Sequence, residues 1–194
     1  MRTRSPESII VFSSDHGDLR GGHGLPFKGP AMYEELIRIP LIVSAPGRVE
    51  PAVCDALVNQ IDLLPTLCDL AGVPSPAGVD GRSLRPLLER KRGPAAGERD
   101  HVVIEYFGKQ RWRVPIRAIR TRSFKYVRYR RYGEELYDLR HDPHERVNLA
   151  GHPDHAAQRE ALADKLDRWL SRTRDPFATL SVTDRKGEII ADDR

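Results

Sequence analysis

Ile9-Ile10-Val11-Phe12-Ser13-Ser14-Asp15-His16-Gly17 is the stretch on which the fold turns. Its first four residues form a continuous apolar run rich in β-branched side chains, the pattern of a strand buried on both faces as in a parallel sheet. Asp15 and His16 fall where that strand ends, and in open α/β sheets ligands bind beyond the carboxyl ends of strands. A carboxylate and an imidazole there are two candidate metal ligands. The loop that follows contains Gly17, Gly21, Gly22, Gly24 and Gly29. So many residues free to take positive φ suit a loop folding closely over a bound group. Lys28 rides on the far end of that loop, where an ammonium neutralises a tetrahedral anion such as sulfate or phosphate. His23, inside the loop, is a weaker candidate for a catalytic side chain. Together these residues describe half of a metal-assisted ester hydrolase, although by spacing alone Asp-His-Gly equally describes a turn in which Asp caps local N–H groups.

Outward from this stretch, the pattern predicts a short helix over about Ala31–Ile37, a strand over Pro40–Ser44 and a helix from about Gln60 to Leu70. That helix ends at Gly72, a natural C-cap followed by Pro74. Strand, loop, helix and strand in alternation read as the last portion of an α/β sheet. A polar, breaker-rich linker, Glu89 to Arg99, then separates residues 1–98 from residues 99–194. Beyond it lie strand candidates at His101–Tyr106, Val114–Thr121, Tyr126–Tyr129 and Glu135–Tyr137. A helix follows from about Asp154 to Arg172, in which Ala157, Leu162, Leu166, Trp169 and Leu170 recur at near-helical spacing, as a stripe packed on a sheet would. The fold class expected is therefore α/β, with a second small antiparallel sheet closed by a terminal helix.

The chain has 194 residues, 39% of them hydrophobic and 31% charged, with a net charge of +4, the composition of an ordinary globular protein with a real core. No apolar run approaches the ~20 residues that span a bilayer, and Met1-Arg2-Thr3-Arg4-Ser5-Pro6 lacks the apolar segment of a signal peptide. A membrane role is therefore not expected; the chain as it stands reads as cytoplasmic, but an export signal could lie in a missing amino-terminal part, so the compartment stays open. Cys54 and Cys68 do not make a disulfide framework, and Cys68 is expected in the core. Between Lys109 and Arg131 there are eight arginines and no acidic residue, with Trp112, Phe124, Tyr126 and Tyr129 interleaved. Such a run suits a polyanion, nucleic acid or sulfated glycan. It equally suits a solvated strand face whose arginine stems cover apolar surface, and that reading is preferred to a nucleic-acid interface.

Four separated blocks of the sequence resemble the sulfatase family of the alkaline-phosphatase-like superfamily. They are Ile10 to Glu35 with its Asp15-His16-Gly17 and Lys28-Gly29; Arg38-Ile39-Pro40-Leu41-Ile42-Val43 with Pro46-Gly47; Asp62-Leu63-Leu64-Pro65-Thr66-Leu67 running on to Gly78-Val79-Asp80-Gly81-Arg82-Ser83-Leu84; and Ile119-Arg120-Thr121, Lys125-Tyr126, Glu135-Leu136-Tyr137-Asp138-Leu139, Asp142-Pro143 and Asn148-Leu149-Ala150. The resemblance implies the carboxy-terminal part of an alkaline-phosphatase-like mixed sheet with flanking helices, plus the family's small antiparallel subdomain. It implies that Asp15 and His16 ligate a divalent cation, calcium first and manganese second because imidazole suits manganese better. It also implies that Lys28 contacts the sulfate of a sulfate ester substrate.

The family's nucleophile, a formylglycine made within a Cys/Ser-x-Pro/Ala-x-Arg motif, has no counterpart here. Cys54 precedes Asp55-Ala56 and Cys68 precedes Asp69-Leu70. Formylglycine and the remaining metal carboxylates are therefore expected on an amino-terminal part that this chain lacks. Loss of a nucleophile costs on the order of a million-fold in turnover, so the chain alone is expected to be inactive. It is expected to need a separately encoded amino-terminal half, or else to self-associate through an exposed sheet edge. Phosphoester or phosphonate hydrolysis within the same superfamily, and polyanion binding by the basic run, are the alternatives.

Overall fold

The computed structural model describes residues 8–89 and 98–190, so most of the expected linker, the first seven residues and the last four lie outside the described residues. The chain divides into two compact units, Met1–Asp15 with Pro40–Val102, and His16–Ile39 with Val103–Arg194. The glycine loop and its short helix thus belong with the second unit, not with the strand that precedes them.

In the first unit, β1 (Ile10–Ser13) pairs with β2 (Leu41–Ser44). The pairing is antiparallel, with Phe12 opposite Ile42. This corrects the expectation of a strand covered on both faces by parallel neighbours. The chain reverses between the two strands, and cross-strand partners share a face, so Phe12 and Ile42 lie side by side at 58% and 60% exposure.

A 3₁₀ turn over Gln60–Asp62 leads into α2 (Leu63–Ala71), and Gly72 ends it in the left-handed conformation as the sequence predicts. Pro65, Thr66 and Leu70 are buried, whereas Ile61, Leu64 and Leu67, three residues apart, are exposed on another side of the helix. Cys68 is only half-buried and Cys54 is exposed.

The centre of this unit is Asp62, whose side chain is fully buried. Its carboxylate accepts the backbone N–H of Asn59 at 2.8 Å and of Arg82 at 2.9 Å. It also takes the Arg99 guanidinium on both oxygens. One turn on, the Thr66 hydroxyl donates to the Asp62 carbonyl at 2.6 Å and accepts the Leu84 N–H at 2.8 Å. Between these fixed points Gly81 passes so close that a Cβ there would lie 2.0 Å from the Ile61 carbonyl oxygen. The Asp62–Thr66 and Gly81–Leu84 motifs are therefore two halves of one clamp, and α3 (Arg85–Leu88) leaves from it.

Burial pushes the Asp62 carboxyl up, but the Arg99 pair and the two backbone N–H bonds outweigh it and hold it below the usual aspartate range. A folded value below the unfolded one stabilises above the ordinary aspartate pKa of ~4, and that stabilisation is lost as pH falls through the folded value. Asp62→Ala is accordingly expected to lower stability at neutral pH by about 3 kcal/mol, since it strands Arg99 and two N–H groups. The gap from the parent should close on acidification. Urea unfolding followed across the acidic range checks this, and a gap independent of pH would contradict it.

The second unit is built on a meander of β3 (Val102–Lys109), β4 (Trp112–Arg120), β5 (Phe124–Tyr129) and β6 (Gly133–Asp138), in that spatial order. The register places Ile119 beside Tyr126 and Tyr126 beside Leu136. That row is buried against Leu162 and Leu166 of α4 (Ala156–Thr173). The alternate row, Val114, Ile116, Ala118 and Val127, packs against Met32 with Ile37 alongside. Strand alternation thus gives this sheet two apolar faces. One is covered by the terminal helix, and the segment 16–39 packs against the other, which is why the loop joins this unit.

On α4 the buried stripe is Leu162, Leu166 and, with Ala163, the partly covered Leu170. Ala157 is exposed rather than part of the stripe: five residues before Leu162 is ~140° around a helix of 3.6 residues per turn. The stretch after the helix, which the pattern leaves unassigned, docks on the sheet through buried Phe177, Val182 and Thr183.

Candidate active site

The second unit opens on His16, and its ring is held at both nitrogens. Nδ1 lies 2.8 Å from the Gly17 carbonyl oxygen and Nε2 lies 2.6 Å from Lys28 Nζ. A carbonyl only accepts and an ammonium only donates, so the hydrogen sits on Nδ1 and the Nε2 lone pair receives the Lys28 N–H. The glycine loop therefore brings Lys28 back to His16, across the twelve residues that separate them. Lys28 is exposed, and two of its three N–H bonds remain to meet an anion. Asp15 ends the β1 segment of the first unit, also exposed, with the Ser14 hydroxyl 3.4 Å from its carboxylate.

The loop returns along a fixed path. The Gly17 N–H donates to the Leu36 carbonyl at 2.8 Å, and a Cβ on Gly17 would sit 1.8 Å from the Glu35 carbonyl oxygen. His23 takes a left-handed conformation and stacks on Tyr33, with ring centroids 3.5 Å apart and planes 6° from parallel. Its Nε2 lies 3.6 Å from the Glu35 carboxylate. The structure thus places His23 in the packing of the loop, away from the His16–Lys28 contact in the hydrogen-bond pattern.

Below the loop, α1 (Glu34–Ile37) is fastened to the sheet by buried charges. The Glu34 carboxylate meets Arg120 at 3.0 Å and Lys125 at 3.4 Å. Lys125 also pairs with Glu145, both side chains being fully buried, and the other Glu145 oxygen accepts the Glu34 N–H at 2.7 Å. That last bond satisfies an orphan donor at the start of the helix. Burial raises Glu34, but Arg120 and Lys125 overcome it and leave the group below its ordinary range. In Glu145 burial prevails over Lys125, and the group lies above its range.

Beside this clasp, the Tyr129 hydroxyl donates to Glu135 at 2.9 Å, and Tyr33 packs near Tyr137 with ring centroids 6.2 Å apart. Burial, then the Glu135 charge, pushes all three tyrosine hydroxyls up, so they act as hydrogen-bonding groups rather than anions. The sequence signals for this layer were a lysine in the middle of an apolar strand and the Tyr-Glu-Glu motif. Glu145, in a polar loop, gives no such signal.

Among the described residues no group of three or more His, Cys, Asp or Glu is placed to hold a metal ion. Asp15 and His16 supply two donors, against the roughly six to eight oxygens a calcium ion takes. The His16 tautomer leaves its single lone pair on Nε2, the nitrogen a metal would use, and in this structure Lys28 holds that lone pair. No helix among the described residues is long and apolar enough to cross a membrane.

The basic run meets its counter-charges from elsewhere in the chain. Arg117 pairs with Asp175 at 3.0 Å and Arg128 with Asp167 at 2.5 Å, while Arg120 and Lys125 join the clasp. Its centre is therefore neutralised within the second unit, as a structural reading of the run requires.

Residues 21–172 match the family described as N-sulphoglucosamine sulphohydrolase, C-terminal. The Delta 4,5-hexuronate-2-O-sulfatase of Bacteroides thetaiotaomicron is 37% identical over 186 residues, covering 90% of this chain and 37% of that protein. The solved structure of a 2-O GAG sulfatase superposes with a TM-score of 0.82 at 34% identity, over 95% of this chain and 39% of that one. The phosphonate monoester hydrolase of Agrobacterium radiobacter gives a TM-score of 0.73 at 27% identity, over 97% of this chain and 40% of that one. The chain thus spans well under half the length of each relative.

Proposed function

Since this chain belongs to the sulfatase family, in its N-sulphoglucosamine sulphohydrolase C-terminal group, we propose that it supplies the sulfate-gripping part of a sulfate ester hydrolase. The observation that carries this reading is the 2.6 Å contact between Lys28 and His16, which holds an exposed ammonium at the root of the glycine loop. In the proposed complex Lys28 donates to a sulfate oxygen and offsets the charge that develops as the ester bond breaks. His16 fixes the ammonium in place, and the clasp of Glu34, Lys125 and Glu145 fixes the helix from which the loop hangs. Asp15 would be one donor to a divalent cation, calcium first and manganese second, with His16 a second through Nε2 once Lys28 turns from that lone pair to the sulfate. Such a cation would act as a Lewis acid on an ester oxygen.

The formylglycine nucleophile and the other cation donors belong, on this reading, to the amino-terminal portion of the relatives, which this chain does not span. The same portion is the proposed partner of the exposed Phe12 and Ile42 and of the exposed Ile61 in the 3₁₀ turn and Leu64 and Leu67 of α2. The hexuronate-2-O-sulfatase is 37% identical to this chain against 27% for the phosphonate hydrolase, which supports sulfate ahead of phosphonate as the substrate.

The test is complementation. The 194-residue chain alone should show no sulfate ester turnover and should self-associate, while co-expression with an amino-terminal sulfatase half should give a monodisperse complex that hydrolyses sulfate esters. In that complex Lys28→Ala should reduce kcat by about 10²–10³, with aryl phosphonate tested alongside. Full turnover by the lone chain, or a Lys28→Ala complex as active as the parent, would overturn the reading.

A further inference from the structure

We propose that the β3–β4 turn and the hairpin over residues 183–189 form a second anion-binding site, which takes a sulfate or carboxylate group of an acidic oligosaccharide. Lys109, Gln110, Arg111, Trp112 and Arg185 line a cleft of about 400 Å³. Three of these five side chains are cations and none is acidic. Among the described residues Lys109, Arg111 and Arg185 have no carboxylate partner, in contrast to the paired centre of the basic run.

The cleft is built from fixed parts. Gln110 takes the left-handed conformation that a two-residue turn requires. The Thr183 hydroxyl donates to the Arg111 carbonyl and accepts the Arg113 N–H at 2.8 Å, and the Thr183 N–H donates to the Arg113 carbonyl at 3.0 Å. The far side of the hairpin is held by a bond from the Ile190 N–H to the Val182 carbonyl at 2.9 Å, and Arg131 donates to the Ile190 carbonyl at 2.5 Å. Of the acidic residues in the hairpin, Asp184 turns its carboxylate onto the backbone N–H groups of Lys186 and Glu188. Glu188 forms no ion pair with the three cations among the described residues.

Arg185 stands over the Trp112 ring, its guanidinium carbon 5.0 Å from the ring centroid. This cation–π contact holds the guanidinium without consuming its N–H bonds, which stay available for a bidentate grip on sulfate or carboxylate. The same contact covers an indole face that a nucleobase would need for stacking. An acidic sugar, whose charged groups are met by Lys109, Arg111 and Arg185 and whose hydroxyls meet Gln110, fits the cleft better than a single-stranded nucleic acid. The proposal rests on the sulfatase reading only for the choice of a sugar as carrier of the anion.

The experiment titrates the whole 194-residue chain, at low salt, with a heparin-derived hexasaccharide, its desulfated form and a single-stranded DNA of equal charge. Binding is read by calorimetry and by tryptophan fluorescence, with Trp112→Phe identifying the reporting ring. The sulfated sugar should change the Trp112 signal, and Lys109→Ala combined with Arg185→Ala should weaken it on the order of tenfold or more. Arg185→Lys should recover part of the loss. Circular dichroism confirms that the variants fold, and Lys28→Ala, which tests the other site, should leave the Trp112 titration in place. No binding, an unaffected double variant, or DNA bound as tightly as the sulfated sugar would each overturn the proposal. None of these readouts depends on ester turnover.

Discussion

Replacing Lys125 by methionine is expected to lower the stability of the chain by about 3–5 kcal/mol, the cost of leaving a buried charge without its partner. The substitution strands Glu145, which is fully buried with Lys125, and leaves Glu34 only Arg120. The size of the effect comes from desolvation: methionine fills nearly the same space, so the loss is electrostatic rather than a cavity. Glu145 already lies above the ordinary glutamate range, through burial, with its ammonium partner present. Without that partner the folded chain binds a proton there more tightly still. The deficit should therefore be largest above the ordinary glutamate range and should shrink as the pH falls. Adding Glu145→Gln, which keeps an acceptor for the Glu34 N–H, should restore much of the stability. Urea unfolding of the three variants at neutral and mildly acidic pH measures this, and a double variant no better than Lys125→Met would show that the pair is not the cause.

Gly17→Ala is expected to be as damaging to the site as the first change is to the core. The added Cβ meets the Glu35 carbonyl oxygen at 1.8 Å and the Leu36 Cα at 3.3 Å. Both are backbone atoms, so no side-chain rotation relieves the clash. The bond from the Gly17 N–H to Leu36 must lengthen, and His16 moves with its neighbour. Overpacking of this kind costs at least ~1–3 kcal/mol. A displacement of about 1 Å in a positioned group costs roughly a hundredfold in turnover. In the complemented enzyme the loss should appear in kcat, in parallel with Lys28→Ala and without adding to it, because both changes remove the same ammonium from the sulfate. An activity within twofold of the parent would mean that the loop does not position Lys28 from its root.

Much of this was legible from residue pattern. The four strands and the terminal helix of the second unit follow from alternation and helical spacing, and the cap at Gly72 from the chemistry of glycine. Departures arose where the pattern was read without knowing the neighbour. Ile9 to Phe12 reads as a strand covered on both faces, yet β2 pairs with it antiparallel and Phe12 stays exposed. Ala157 was counted in a stripe whose phase is set by Leu162 and Leu166. For His23, a weaker catalytic candidate by pattern, the structure adds a stacking partner in Tyr33 that spacing does not encode. The basic run reads as unpaired because its acids, Glu34, Glu145, Asp167 and Asp175, lie from 20 to 91 residues from the cations they meet.

The sequence by itself determined the family and the strand and helix positions, and it nominated Lys28, His16 and Asp15 as candidates for binding an anion or a cation. These follow from local chemistry, the order of apolar and polar residues and the spacing of motifs, which the chain carries whatever its fold. Tertiary structure decided what holds those residues. It showed that the segment 16–39 packs on the antiparallel sheet, that Lys125 and Glu145 clasp Glu34, and that Lys28 meets the Nε2 lone pair of His16. Each of these depends on which groups meet in space. For Lys125 and Glu145, both fully buried, the energy of a charge depends on the partner that arrives where water is excluded, which spacing along the chain does not encode.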